Sequence, residues 1–508
     1  KAAGLVDYEQ ATFMVQNLII KLNEIGYYFG EKVALQNSAD LGQSITLGGF
    51  TPEGEDATAE MDYNVLDAAA YLHLPQPPLT CAYTERMSGK FLEKVLDVIG
   101  TGIGMPQITN GDVMVKRALN LFGDSKTGIT LEKARRTCIG ACVGSYIPYE
   151  TGHPVEGQPN LGKVISLTLN DGYDVMFKQQ IGPKTGNPEN FKDFEELYAA
   201  FEKQLQFCED TLRKEAWIAS ILCAEYLPVA WRSILTKGCI ETGTEVWNGG
   251  ANYYTVAQIV VGGIDAANSL MAVKHLVYDT KKLTMAELRK ALEADFAGDY
   301  APVQKLCYEA PKHGNDIPEM NKLTHRVYES IFQAFQNVLG GGNYISKDIK
   351  SAPDAYTKSI HNLMGLVTGA LPNGKKAGVA LTDGSLSAMP GTDVNGPTAL
   401  VMSAAKSQDA IKFTATHMNM KLPPDQLKTR KGRDNVLRLV KTYFDNDGYH
   451  IQFNVLDTNI LRDAQKHPEK YRDLVVRVAG FSAFFTKLHK GVQDEIIART
   501  EQTFEGKS

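Results

Sequence analysis

The chain has 508 residues, 43% hydrophobic, 9% aromatic and 22% charged, with 53 Lys and Arg against 59 Asp and Glu for a net charge of −6. This ordinary balance excludes a disordered or collagen-like chain and a disulfide miniprotein, and it lacks the basic excess of a general nucleic-acid binder. No apolar run approaches the roughly 18 residues of a membrane span, and Lys1 to Tyr8 carry no signal-peptide pattern.

Length alone suits two or three domains, or one large decorated α/β barrel. Apolar positions at helical spacing (Phe13, Met14, Val15, Leu18, Ile19, Ile20, Leu22) predict helix through most of the first forty residues. Helices are expected over 63–71, before the breaker run Leu74-Pro75-Gln76-Pro77-Pro78, and over 88–99 and 112–122. A long amphipathic stretch follows at 191–226, then helices at 260–278 and 284–296, the last opened by a capping box of Thr284 and Glu287. Short strand-like runs occur at 398–402 and 450–455, and 471–478 ends in another. Helices alternating with short apolar strands point to an α/β architecture.

Seven cysteines, an odd and low count without a CxxC pair, suit reduced thiols in the cytoplasm rather than disulfides or a zinc site. Glycine loops such as Leu339-Gly340-Gly341-Gly342-Asn343 and Leu371-Pro372-Asn373-Gly374 lack phosphate-loop spacing and read as tight turns.

Two segments carry candidate chemistry. Thr137-Cys138-Ile139-Gly140-Ala141-Cys142-Val143-Gly144-Ser145-Tyr146 places Cys142 among small residues. As residues, these fit either a buried core cysteine or a reactive thiol. Val475-Val476-Arg477-Val478-Ala479-Gly480-Phe481-Ser482-Ala483 runs an apolar strand into Gly480 and at once into bulky side chains. A turn glycine explains it as residues alone.

The run from Arg477 to Glu501 resembles the C-terminal signature of the glycyl radical enzymes, a pyruvate formate-lyase-like superfamily. The resemblance extends through Ile45-Thr46-Leu47-Gly48-Gly49, Gly238-Cys239-Ile240-Glu241, His313-Gly314-Asn315-Asp316 and Pro372-Asn373-Gly374-Lys375-Lys376, so it spans nearly the whole chain. It implies an α/β fold whose core is a ten-stranded barrel of two five-stranded halves surrounded by helices, here incomplete at the N-terminus. A barrel body over 1–384 would carry the thiyl loop, and 385–508 would be the glycine radical domain. Gly480, flanked by Ala479 and Phe481, would store a backbone radical, and Cys142 would be the working thiyl. Cys239 sits in a similar motif, but the segments after Cys142 match those downstream of the family's thiyl cysteine.

No metal is implied in the chain itself. A radical S-adenosylmethionine activating enzyme with an iron–sulfur cluster would install the radical in trans. The implied partners are that enzyme, a small-molecule substrate, and a second copy or an additional chain, with neither nucleic acid nor membrane.

Departures from the family pattern narrow the reaction. Eliminating members carry Cys-x-Glu, whereas Gly144 stands here, and Ala141 excludes the paired cysteines of pyruvate formate-lyase itself. Fumarate-adding members place an Arg soon after the cysteine, but none occurs from Val143 to Leu212. Lys163 is the candidate substitute cation, Tyr146 and Tyr149 candidate pocket walls, and Glu150 a candidate displaced base. The resemblance therefore points to a lyase of arylacetate-decarboxylase or fumarate-adding type. The alternatives are a dehydratase with a displaced base and an inactive paralogue or fragment.

Overall fold

The computed structural model describes residues 4–24, 43–124, 127–140, 142–152, 157–254, 258–337, 352–355, 357 and 359–504. The larger helices are α1 (Tyr8–Glu24), α2 (Glu60–Leu72), α3 (Gly89–Val98), α4 (Gly111–Phe122), α5 (Leu161–Thr168), α6 (Phe194–Tyr226) and α7 (Gly263–Val273), followed by α8 (Pro318–Asn337), α9 (Gly396–Ser407), α10 (Arg430–Asp445), α11 (Thr458–Lys466) and α12 (Lys490–Ala498). Their starts are written in the sequence. Ser88 caps α3, Asn110 caps α4, and Asp193 caps α6, each accepting from a backbone N–H of the first turn. The expected box of Thr284 and Glu287 closes in both directions. The remainder of the expected first helix, and the Leu339–Asn343 turn, lie outside the described residues.

One expectation is corrected. Residues 398–402 are not a strand but the interior of α9. Thr-Ala-Leu-Val-Met is strand-like in composition, but Pro397 stands in the first helical turn, where its fixed φ and missing N–H cost nothing. Leu400, Val401 and Ala404 then fall on one buried face.

The strands form one five-stranded sheet and several two-stranded pairs. β1 (Ile45–Gly48), β2 (Leu79–Tyr83) and β3 (Gln107–Asn110) lie parallel, with Leu47 beside Cys81 and Cys81 beside Ile108. A hairpin of β4 (Cys138–Gly140) and β5 (Gly144–Tyr146) follows, then the short parallel pair β6 (Thr151–Gly152) and β7 (Tyr253–Tyr254). Further along come β8 (Asp354–Ala355), β9 (Ala415–Thr416), β10 (Asn419–Leu422) and β11 (His450–Val455). β3 meets β11 antiparallel, through His450 and Thr109. From there the order is parallel: β11 beside β10, β9 beside β8, Asp354 beside Ile259, and residues 258 and 261 beside 157 and 160. Three parallel strands thus meet β11 and β10, the two sets antiparallel to each other, while β9, β8 and residues 258–261 and 157–160 pair parallel in turn. This is the two-halved barrel plan of the resemblance; among the described residues no pairing closes it.

Strands of a covered parallel sheet usually read apolar on both faces. These alternate instead. Ile451, Phe453 and Val455 join the main apolar core with Met420 and Leu422. Their neighbours His450, Gln452, Asn454, His417, Asn419 and Lys421 are polar and equally buried. A buried polar wall must be met by hydrogen-bond partners, and here two loops inside the barrel supply them.

Beyond β11 the chain builds a second apolar cluster. Leu456, Leu461, Val476, Val478, Phe481, Phe485, Val492 and Ile496 pack together, separate from the main core. This cluster joins α11 and α12 to the hairpin of β12 (Val475–Arg477) and β13 (Ser482–Phe484). Residues 385–455, by contrast, supply strands to the barrel and side chains to its core.

Candidate active site

Gly480 lies at the tip of the β12–β13 hairpin, where Arg477 pairs with Ser482 and Val478 N–H donates to Phe481 O at 2.9 Å. Its φ of +80° matches the third position of a type II turn, which favours glycine. The flanking Ala479 and Phe481 are wholly buried.

Cys142 lies at the tip of the other hairpin, β4–β5, and is wholly buried. A Cβ built on Gly480 would fall 2.3 Å from the Cys142 Cβ and 3.0 Å from its Sγ. The two tips, 338 positions apart in sequence, are therefore in van der Waals contact, and any side chain at 480 would collide with the cysteine.

The polar wall fixes both tips. Asn454 brackets Arg477, donating to its carbonyl at 2.6 Å and accepting from its N–H at 2.8 Å. Asn419 and Arg499 both donate to Val478 O, at 3.2 and 2.7 Å. The buried Arg477 guanidinium binds Gln452 at 2.7 Å and also reaches Gln107. On the cysteine side, Gln107 donates to Cys142 O at 2.6 Å, Tyr449 donates to Val143 O at 2.7 Å, and Thr46 accepts from Ile139 N–H at 3.0 Å. Arg117 stacks on the Tyr449 ring at 3.7 Å and donates to Ser145.

A buried ion pair flanks the Gly480 hairpin on the side of α12. Arg499 on the segment after α12 forms an ion pair with Glu495 at 2.8 Å and stands 3.8 Å from Asp383. Burial pushes the Glu495 carboxyl up, but Arg499 beside it, with His361, holds it down to about 2. Burial raises the Asp383 carboxyl despite Arg499. The ring of His417 lies 4.9 Å from that of His450. Burial holds His417 down to about 3, and burial, with the neighbouring His417 and Arg477, lowers His450 well below its ordinary value as well.

The other candidates are placed differently. The Tyr146 ring covers Gly144, so that a Cβ there would sit 2.9 Å from it. Tyr146 thus occupies the space into which a Cys-x-Glu side chain would start. Tyr149 is 77% exposed with φ +61°. Glu150 is buried and engaged by Lys133 at 3.1 Å, Lys237 at 3.7 Å and Asn252 at 2.8 Å, which hold its carboxyl below the usual range against burial. Lys163 binds the buried Asp174 at 2.7 Å and lies over the Phe177 ring. Cys239 opens a short helix and packs with Val246, Ala251 and Tyr254. The structure therefore joins Cys142 to Gly480 and gives Glu150 and Lys163 ionic partners of their own.

Comparison with known proteins fits this geometry. A profile of the pyruvate formate lyase-like family matches residues 1–357, and one of the glycine radical segment matches 382–486. The chain belongs to the glycyl radical enzyme family. Members carry a glycyl radical as a post-translational modification installed by an activating enzyme. The trans-4-hydroxy-L-proline dehydratase of Clostridioides difficile is 35% identical over 99% of this chain and 62% of that protein. The indoleacetate decarboxylase of Tractidigestivibacter scatoligenes is 32% identical over 98% of this chain and 58% of that protein. The glycerol-bound B12-independent glycerol dehydratase of Clostridium butyricum superposes with a TM-score of 0.91 at 35% identity, covering 99% of this chain and 62% of the other. The chain thus spans about three fifths of the length of these relatives. Among the described residues no helix is long and apolar enough to cross a membrane, and no group of three or more His, Cys, Asp or Glu could hold a metal ion.

Sequence reasoning missed most of the wall. Gln107, Asn419, Gln452 and Asn454 had no motif to announce them, and Glu495 and Arg499 lay inside the Arg477–Glu501 run without a role assigned to either. The available signal was the strict polar alternation of His450-Ile451-Gln452-Phe453-Asn454-Val455, unexpected in a strand buried on both faces.

Proposed function

We propose that this chain carries the radical relay of a glycyl radical lyase, with Gly480 as the stored radical and Cys142 as the working thiyl. The contact between the two tips is the observation that supports it. An activating enzyme removes one hydrogen atom from the Gly480 Cα. The Cα radical then takes the hydrogen atom of the Cys142 thiol, leaving Gly480 closed-shell and Cys142 a thiyl. Both bonds are of similar strength, so the step is reversible. The buried lumen keeps water and oxygen from the radical, the exclusion that such chemistry asks of the protein. The partners in this reading are a radical S-adenosylmethionine activating enzyme, a small organic substrate and a second copy or additional chain. Residues 385–508 serve as the glycine radical domain, with the separately packed 456–504 as its cap over the barrel.

For the reaction we propose carbon–carbon cleavage of an arylacetate-like acid, or hydrocarbon addition to fumarate. Gly144 under the Tyr146 ring leaves no carboxylate two residues after the thiyl, and Glu150 is bound to two lysines. A decarboxylation of an arylacetate without a phenol group needs no such base. The thiyl takes one electron and the proton from the protonated carboxyl group of the bound substrate, becoming a thiol. The oxidised carboxyl group leaves as carbon dioxide, and the carbon radical recovers a hydrogen atom from Cys142, regenerating the thiyl.

A dehydratase is the second reading, favoured by the 35% identity to a hydroxyproline dehydratase. The activated protein is offered arylacetates, aryl hydrocarbons with fumarate, and diols or hydroxyproline in parallel. Carbon dioxide or an adduct supports the first reading; dehydration of a diol or hydroxyproline replaces it with the second.

A further inference from the structure

We propose that Gln107 is a positioning residue that ties the Gly480 hairpin to the Cys142 loop and fixes the distance over which the hydrogen atom passes. The proposal rests on the relay reading above and extends it to a residue that no motif marks.

Gln107 opens β3 and is wholly buried. Its Nε2 donates to Cys142 O at 2.6 Å and to Thr80 Oγ1 at 2.9 Å. Its Oε1 accepts from Arg477 Nη2 and from His450 Nε2, the latter at 3.0 Å. The amide can take only this orientation, because a guanidinium only donates and a carbonyl only accepts. His450 agrees with it: its Nδ1 accepts from Met418 N–H at 3.3 Å, so its Nε2 carries the hydrogen. Both amide donors and both acceptor positions are thus used, one on each loop and one on each neighbouring strand.

One side chain on a rigid strand therefore links the backbone of residue 142 to the side chain of residue 477, three positions before Gly480. The other holds described above act on one loop each: Asn454, Asn419 and Arg499 on the glycine side, Tyr449 and Thr46 on the cysteine side. Hydrogen-atom transfer works only at contact distance, so the residue common to both loops governs the rate of the relay more than it governs the existence of either partner.

The relay can be read without substrate. The electron paramagnetic resonance signal of a glycyl radical is split by its α-hydrogen. In D2O the thiol of Cys142 becomes S–D, and each cycle of the relay can return deuterium to Gly480. The splitting then collapses at a rate set by the transfer. Gln107→Met keeps the volume and removes all four hydrogen bonds; Gln107→Glu keeps the acceptor for Arg477 and loses the donor to Cys142 O. Both are expected to form the signal and to collapse about tenfold or more slowly than the unmodified protein. If Gln107→Met fails to fold or to accept the radical, Gln107→Glu decides. Collapse at the unmodified rate in the variant that decides overturns the proposal. Cys142→Ala separates the underlying reading: collapse in that variant, or none in the unmodified protein, shows that the relay itself is wrong, and the role of Gln107 falls with it.

Discussion

Replacing Arg499 by methionine would test how the Gly480 hairpin is held. Arg499 is buried, forms an ion pair with Glu495 at 2.8 Å, and donates to Arg477 O at 3.2 Å and Val478 O at 2.7 Å. Glu495 is held down to about 2, by Arg499 and also by His361, against the burial that raises it. Breaking a buried pair from one side generally costs about 3–5 kcal/mol. The sign follows from the depressed value: in the unmodified protein this stabilisation is complete above 4.5 and lost only as pH falls through about 2. In Arg499→Met the carboxyl has lost its guanidinium, and burial beside Asp383 and the hairpin carbonyls raises it, with His361 alone left to oppose the rise. The variant is then penalised at neutral pH and relieved as pH falls and Glu495 takes up a proton. Hydrogen exchange followed by mass spectrometry on residues 475–484 reads this directly. At pH 7.5 the variant should exchange about a hundredfold or more faster than the parent, the ratio that about 3 kcal/mol gives. The ratio should shrink at pH 5. Equal exchange at pH 7.5, or a ratio that does not change with pH, would refute the assignment of Arg499 as the clamp.

Other substitutions separate chemistry from packing. Cys142→Ser should keep the glycyl signal and abolish turnover, because the serine O–H bond is too strong for a glycyl radical to open, whereas Cys239→Ser should lose only packing; turnover by Cys142→Ser and not by Cys239→Ser would reverse the two. Gly144→Glu should displace the Tyr146 ring, cost about 1–3 kcal/mol of stability by overpacking, and give no diol dehydration. Dehydration gained by that variant would favour the eliminase reading.

Much of this was legible in the sequence, for identifiable reasons. The helices carry their own caps, as at Ser88, Asn110 and Thr284, so their starts needed no tertiary information. The pairing of Cys142 with Gly480 came through resemblance, since nothing in either tip encodes contact across 338 positions. Residues 398–402 misled because strand-like side chains followed a proline whose position opens a helix. Glu150 and Lys163 looked available because their partners, Lys133 with Lys237 and Asp174, meet them only in the folded chain. Gln107 was invisible for the same reason: a single buried amide acquires meaning from the two loops that converge on it.

The relay depends on a radical that resides on Gly480. A glycyl Cα radical reacts with oxygen and breaks the backbone where it sits, so the activated protein should be exposed to air and its fragments measured by mass spectrometry. Cleavage at Gly480, releasing a C-terminal piece that begins at or beside Phe481, is the predicted result. A chain that stays intact after activation and air, or one cut elsewhere, would contradict it.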